Sequence, residues 1–199
     1  RAVCGSFAGL RLRATRIFRF PFPVRFVISM PGGAHRDSMS IRVQRNGMKV
    51  VAIANQKGGV GKTTTAVNLS SALARRGQRT LLIDLDPQAN ATSGLGVDPD
   101  DAADASIYDV LLGGATLESK IQTTPHPNLS IIPAEMNLAG VEIELARMED
   151  HLLILQDILR KAKKRAKYDF CIIDTPPSLG VLMTSALSAA DEVLVPLQC

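Results

Sequence analysis

The chain has 199 residues, 46 % of them hydrophobic and only 4 % aromatic, which fits one globular α/β domain with an aliphatic core. No apolar run approaches the length of a membrane span, so no transmembrane helix is expected. The net charge of +4 is unevenly spread: residues 1–49 carry ten Lys/Arg and one acid, Asp37, whereas residues 50–199 carry thirteen basic and eighteen acidic side chains.

Residues 1–47 form a basic leader. It is Arg-rich, clusters Phe and Pro over residues 18–23, and fits neither helix nor strand for long. Met30, Met39 and Met48 are candidate translation starts, which makes upstream residues read-through of a gene fragment. An organelle transit peptide and a basic arm for nucleic acid are the rival readings. All three exclude 1–47 from the fold, which leaves 48–199 as the domain. Cys4, Cys171 and Cys199 show no paired spacing, and Cys171, inside an apolar run, is expected as a buried free thiol.

The stretch Gln56-Lys57-Gly58-Gly59-Val60-Gly61-Lys62-Thr63-Thr64 follows an apolar strand-like run, Val50–Ala54, and opens a helical pattern. Strand, glycine-rich turn, then helix is the context of a phosphate loop. Glycines let the backbone curl so that successive N–H groups converge on an anion. The helix start adds unpaired N–H groups and the positive end of its dipole. Lys62 then supplies charge to the β- and γ-phosphates and Thr63 a hydroxyl to Mg²⁺. The usual pattern has Gly where this chain has Gln56, and it lacks the extra lysine, Lys57.

Thr63–Arg76 spaces Ala66, Val67, Leu69, Leu73 and Ala74 as a helix closed by Gly77. Thr80–Ile83 reads as a buried strand ending in Asp84-Leu85-Asp86-Pro87, where Pro87 stops the strand and the two acids, two apart, share a face in extended geometry. Residues 97–105 read as a loop, Ser106–Leu112 as a short helix stopped by Gly113-Gly114, and Asn128–Pro133 as a strand. Leu138–Lys167 is helical, as one or two helices with Leu152, Leu155, Ile158 and Leu159 on one face, and ends in a basic cluster read as a solvated helix terminus. Tyr168–Asp174 is a third buried strand ending in an acid, followed by Thr175-Pro176-Pro177. Asp174 occupies the Walker B position and is expected to hold Mg²⁺ directly or through water. A helix, Leu179–Ala190, and a strand, Glu192–Pro196, complete the pattern.

The Lys57–Thr64 run resembles the deviant Walker A group of ParA/Soj partition ATPases, MinD-type regulators and nitrogenase iron protein. Asp84-Leu85-Asp86-Pro87-Gln88-Ala89-Asn90-Ala91-Thr92-Ser93-Gly94 looks like the ParA/Soj branch. The resemblance covers Met48–Cys199. It implies a three-layer α/β/α P-loop NTPase fold with a mostly parallel sheet, incomplete on the C-terminal side, since adenine- and DNA-contacting residues are then expected beyond Cys199. It further implies ATP and Mg²⁺ as ligands and slow hydrolysis. Implied partners are an ATP-dependent homodimer, nonspecific DNA and a ParB-like activator, acting in a cytoplasmic, nucleoid-associated setting. The implied site assigns Lys57, Gly58, Gly59, Val60, Gly61, Lys62, Thr63 and Thr64 to the nucleotide and Thr63, Asp86 and Asp174 to the metal. Lys57, Lys62 and Asp86 take catalytic roles: Lys57 reaches the partner subunit's phosphates and Asp86 positions water. The Asp174-Thr175-Pro176-Pro177 turn acts as the γ-phosphate switch. A MinD-like, nucleotide-switched localisation protein is the alternative of the same superfamily.

Overall fold

The computed structural model describes residues 25–27, 47–99 and 106–197. Its strands are β1 (Arg25–Val27), β2 (Lys49–Ile53), β3 (Thr80–Asp84), β4 (Gln122–Thr123), β5 (Leu129–Ile132), β6 (Phe170–Asp174) and β7 (Glu192–Leu194). They form one sheet in the order β1-β7-β2-β6-β3-β5-β4, in which every pairing is parallel except β4 with β5. The helices are α1 (Lys62–Arg75), α2 (Asn90–Gly94), α3 (Ile107–Leu111), α4 (Leu138–Leu145), α5 (Ile154–Lys164) and α6 (Val181–Ala189).

β3 and β6 are buried at every residue. A parallel strand covered on both faces needs such an unbroken apolar run, and Leu81-Leu82-Ile83 and Cys171-Ile172-Ile173 supply it. Alternate side chains then serve two cores. Val51, Ile53, Leu82, Ile131 and Ile172 pack on one face against Ala66, Leu73 and Ala74 of α1. Val50, Ala52, Leu81, Ile83 and Ile173 pack on the other against Leu111, Val141, Leu155, Leu159 and Leu182 from α3, α4, α5 and α6. The expected three layers are present.

Two sequence expectations need correction. Leu138–Lys167 is two helices, one of the two forms expected, but Leu152 lies between them, exposed, rather than on the face of Leu155 and Leu159. Asp150 adopts a left-handed backbone (φ 55°) and its carbonyl accepts from Leu153 N–H, which closes a turn there. The leader is also not wholly outside the sheet, because Arg25–Val27 pairs with Glu192–Leu194. An edge strand exposes a row of unpaired N–H and C=O groups, and a short run with Phe and Val has the propensity to cover it. The other leader residues up to Asn46, together with Cys199 and most of the expected 97–105 loop, lie outside the described residues.

Ion pairs collect at the N-terminal ends of the strands. Arg79 forms a two-pronged pair with Asp169, through Nε at 3.2 Å and Nη2 at 2.8 Å. That contact holds the Asp169 carboxyl below its usual range, while Asp169 N–H donates to the Arg79 carbonyl at 2.8 Å. Lys49 meets Glu192, and Lys163 meets Asp191, at 2.7 Å each.

Candidate functional site

The opposite, C-terminal edge carries the loops. Because β6 lies between β2 and β3, the ends of three motif strands meet: Ile53 is in register with Asp174, and Asp174 with Asp84. The Thr175 hydroxyl donates to the Ile53 carbonyl at 2.8 Å, and Leu85 N–H donates to the Asp174 carbonyl at 3.0 Å, which locks the three exits together.

The loop after β2 is shaped by glycine. Gly59 (φ 72°) and Gly61 (φ 87°) hold left-handed conformations that a side chain would strain. Gly61 precedes α1 and offers no side-chain cap, so the first-turn N–H groups of α1 have no capping side chain. Gln56, Lys57, Gly58 and Gly59 are exposed, Val60 and Lys62 are buried, Gly61 and Thr63 are half-buried and Thr64 is exposed. The Lys62 ammonium turns back over the loop and donates to the Lys57 carbonyl at 3.4 Å.

The carboxylates beside this loop differ in their partners. Asp84 is fully buried and saturated: Oδ1 accepts from Asp86 N–H at 3.1 Å, and Oδ2 accepts from Thr92 N–H at 2.9 Å and the Thr92 hydroxyl at 2.8 Å. The Thr92 hydroxyl accepts in turn from Ala134 N–H at 3.1 Å, which joins the exit of β5. Burial pushes the Asp84 carboxyl up to about 6, against the opposing pull of the Thr92 bonds. Asp84 and Asp86 do not share a strand face as expected. β3 ends at Asp84, and Asp86 lies in the turn beyond, buried, with Oδ1 accepting from Gln88 N–H at 3.0 Å.

Asp174 is buried and neither of its carboxylate oxygens has a hydrogen-bond partner. Burial and then the charge of Asp84 push it up to about 7. The Thr63 hydroxyl and the Lys62 ammonium face it and pull the other way, without a hydrogen bond in place. A buried carboxylate with no partner costs several kcal/mol as an anion, at the order-of-magnitude level, so the pocket favours either a proton or a cation there. Among the described residues no group of three or more His, Cys, Asp or Glu side chains is arranged to hold a metal ion by itself. Mg²⁺ is commonly held by one or two carboxylates, with waters and phosphate oxygens completing its shell, and the Asp174–Thr63 pair fits that donor set.

Lys57, Gly58–Thr64, Asp86 and Asp174 are thus gathered on one edge. Sequence reasoning overlooked Asn55, whose amide braces the loop, and Thr92, which ties Asp84 to β5. The first has a sequence signal, since Asn at the head of a glycine turn readily accepts from the N–H two residues on.

Residues 48–199 match a family model described as an AAA domain. The chain belongs to the AAA domain family, in its ParA/Soj-type branch. It is 49 % identical over 154 residues to the chromosome partitioning protein ParA of Caulobacter vibrioides, which covers 77 % of this chain and 57 % of that protein. It is 50 % identical over 151 residues to the sporulation initiation inhibitor protein Soj of Bacillus subtilis, covering 76 % of this chain and 58 % of that one. Among solved structures it resembles the cobyrinic acid a,c-diamide synthase of Mycobacterium smegmatis with bound ATP analog and magnesium. That match has a TM-score of 0.72 at 43 % identity, over 76 % of this chain and 61 % of the other. The AAA-domain chain therefore spans a little over half the length of the ParA and Soj proteins it matches.

Proposed function

We propose that this chain binds ATP with Mg²⁺ and hydrolyses it, as the nucleotide-dependent part of a chromosome or plasmid partition ATPase. The observation that supports this most is the unpartnered, buried Asp174 carboxylate facing Thr63 and Lys62 beside an uncapped helix start. The relatives named ParA and Soj, and the related structure with an ATP analog and magnesium, point the same way.

In this reading the N–H groups of Gly58–Thr64 receive the phosphates, and Lys62 leaves the Lys57 carbonyl to neutralise them. Asp174 and the Thr63 hydroxyl hold Mg²⁺, with Asp86 beside them. Bound Mg²⁺ supplies charge neutralisation across the β- and γ-phosphates. Asp86 accepts a hydrogen bond from the attacking water and orients it, a role exerted in the transition state. Lys57, exposed at the loop tip, extends to the phosphates of a second subunit in an ATP-dependent homodimer. That dimer engages nonspecific DNA and a ParB-like activator, in the cytoplasm at the nucleoid. No helix among the described residues is long and apolar enough to cross a membrane.

Titration with a fluorescent ATP analogue, with and without Mg²⁺, tests the reading. Saturable, Mg²⁺-dependent binding that is lost in Lys62→Ala is expected. Binding that persists unchanged in Lys62→Ala would remove the basis for it.

A further inference from the structure

Asn55 stands between β2 and the phosphate loop and uses both ends of its amide. Oδ1 accepts from Lys57 N–H at 2.9 Å, and Nδ2 donates to the Pro196 carbonyl at 2.8 Å, in the segment leaving β7. These partners fix the orientation of the amide, because a flipped group would set oxygen against a carbonyl and NH₂ against an N–H. Pro196 is buried whereas Gln56, Lys57, Gly58 and Gly59 are exposed. The amide therefore joins a fixed anchor to the part of the loop with least packing of its own.

The Lys57 peptide has one further side-chain restraint, Lys62 Nζ on its carbonyl at 3.4 Å. That bond is long, and an ammonium gains more from an anionic oxygen than from a neutral carbonyl. A phosphate in the loop draws Lys62 away, which leaves Asn55 as the side chain holding the Lys57 peptide. We propose that Asn55 is a positioning residue: it sets the direction in which Lys57 leaves the nucleotide-occupied loop and couples that direction to the segment following β7. This rests on the nucleotide reading given above.

Two variants separate the two bonds of the amide. Asn55→Ala removes both. Asn55→Asp keeps an acceptor for Lys57 N–H and sets a carboxylate oxygen against the Pro196 carbonyl. In the chain with Mg–ATP, hydrogen exchange at the Lys57 amide should speed up about fivefold in Asn55→Ala, the scale of one lost hydrogen bond. In Asn55→Asp it should stay near the wild-type rate while residues 195–197 exchange faster. In turnover, Asn55→Ala should lower kcat about fivefold with KM for ATP nearly unchanged. An unchanged kcat, or equal exchange rates in Asn55→Ala and wild type, overturns the proposal. A wild-type chain that binds no Mg–ATP overturns the nucleotide reading itself. Normal wild-type binding with an indifferent Asn55→Ala overturns this proposal alone.

Discussion

Asp84 and Asp174 sit side by side at the ends of β3 and β6, in register, yet one carboxylate accepts three hydrogen bonds and the other accepts none. The two should respond oppositely to neutralisation. Asp174 titrates near 7 in the fold against an ordinary 3.8. The folded state therefore holds a proton that the unfolded chain has already released. The associated stability is complete below about pH 4 and is lost as pH rises through about 7. The metal-free chain should melt higher at pH 5 than at pH 8, and Asp174→Asn should raise stability at pH 8 by about 1–3 kcal/mol. Asp84→Asn places an NH₂ against donors and should cost about 1–3 kcal/mol at the same pH. Thermal melts of the three proteins at both pH values check the signs, and a destabilised Asp174→Asn would contradict the account of that site.

Three loop-edge residues should separate by assay in a nucleotide-competent protein. Lys62→Ala should abolish ATP binding. Lys57→Ala should retain binding by the single subunit but lose ATP-induced dimers and turnover. Asp86→Ala should keep binding and dimers while turnover falls by roughly a hundredfold or more, the usual scale for a positioned acid/base group. Fluorescent-ATP titration, light scattering and phosphate release distinguish them. Normal dimers and hydrolysis in Lys57→Ala would reduce the extra lysine to an ordinary loop residue.

The start of α6 is capped from another helix. A Glu142 carboxylate oxygen accepts from Leu182 N–H at 3.2 Å, and a Cβ added at Gly180 would overlap that carboxylate. Gly180→Ala should push Glu142 aside and cost about 1 kcal/mol, the value of the lost cap bond. In a Glu142→Ala background the same change should be nearly neutral. Denaturant melts of the four proteins in this cycle measure the coupling, and additive losses would show that Gly180 matters for a different reason.

Removal of residues 1–47 should be tolerated. β1 contributes three residues at the sheet edge, and a few net hydrogen bonds of about 1 kcal/mol each are offset by ordering costs of about 1–2 kcal/mol per residue. A chain starting at Met48 should melt within about 4 °C of the longer one, the shift expected for about 1 kcal/mol in a domain of this size. A much larger drop in a circular dichroism melt would mean that the leader contributes more to the domain than the β1 pairing accounts for.

Much of this molecule was legible because its signals were local. The runs at Leu81–Ile83 and Cys171–Ile173 could only be strands buried on both faces, and Gly77 and Gly113 close helices with φ of 78° and 79°. The loop from Lys57 to Thr64 announced its own turn. What stayed hidden depends on partners far along the chain. Thr92 lies in the run that resembles ParA/Soj, but nothing local marks that it bridges Asp84 to Ala134, 42 residues later. The pairing of Asp84 but not Asp174 is equally invisible, since two acids ending two similar strands look alike until the sheet sets them side by side. The two-residue β4 and the edge strand β1 are too short for any periodicity to declare them.

The ion pairs at one end of the strands and the loops at the other give this domain a mutational polarity. Changes at Arg79, Asp169, Lys163 or Asp191 reach only the end that closes the sheet. They should show as altered yield in a population of random variants while the surviving protein works normally. Changes at Asn55, Lys62, Asp86 or Asp174 should give well-populated protein with impaired turnover, and Asp174→Asn protein more abundant than the parent. Sorting a variant library first by abundance and then by nucleotide turnover would therefore recover the two ends of the sheet as two separate groups of positions.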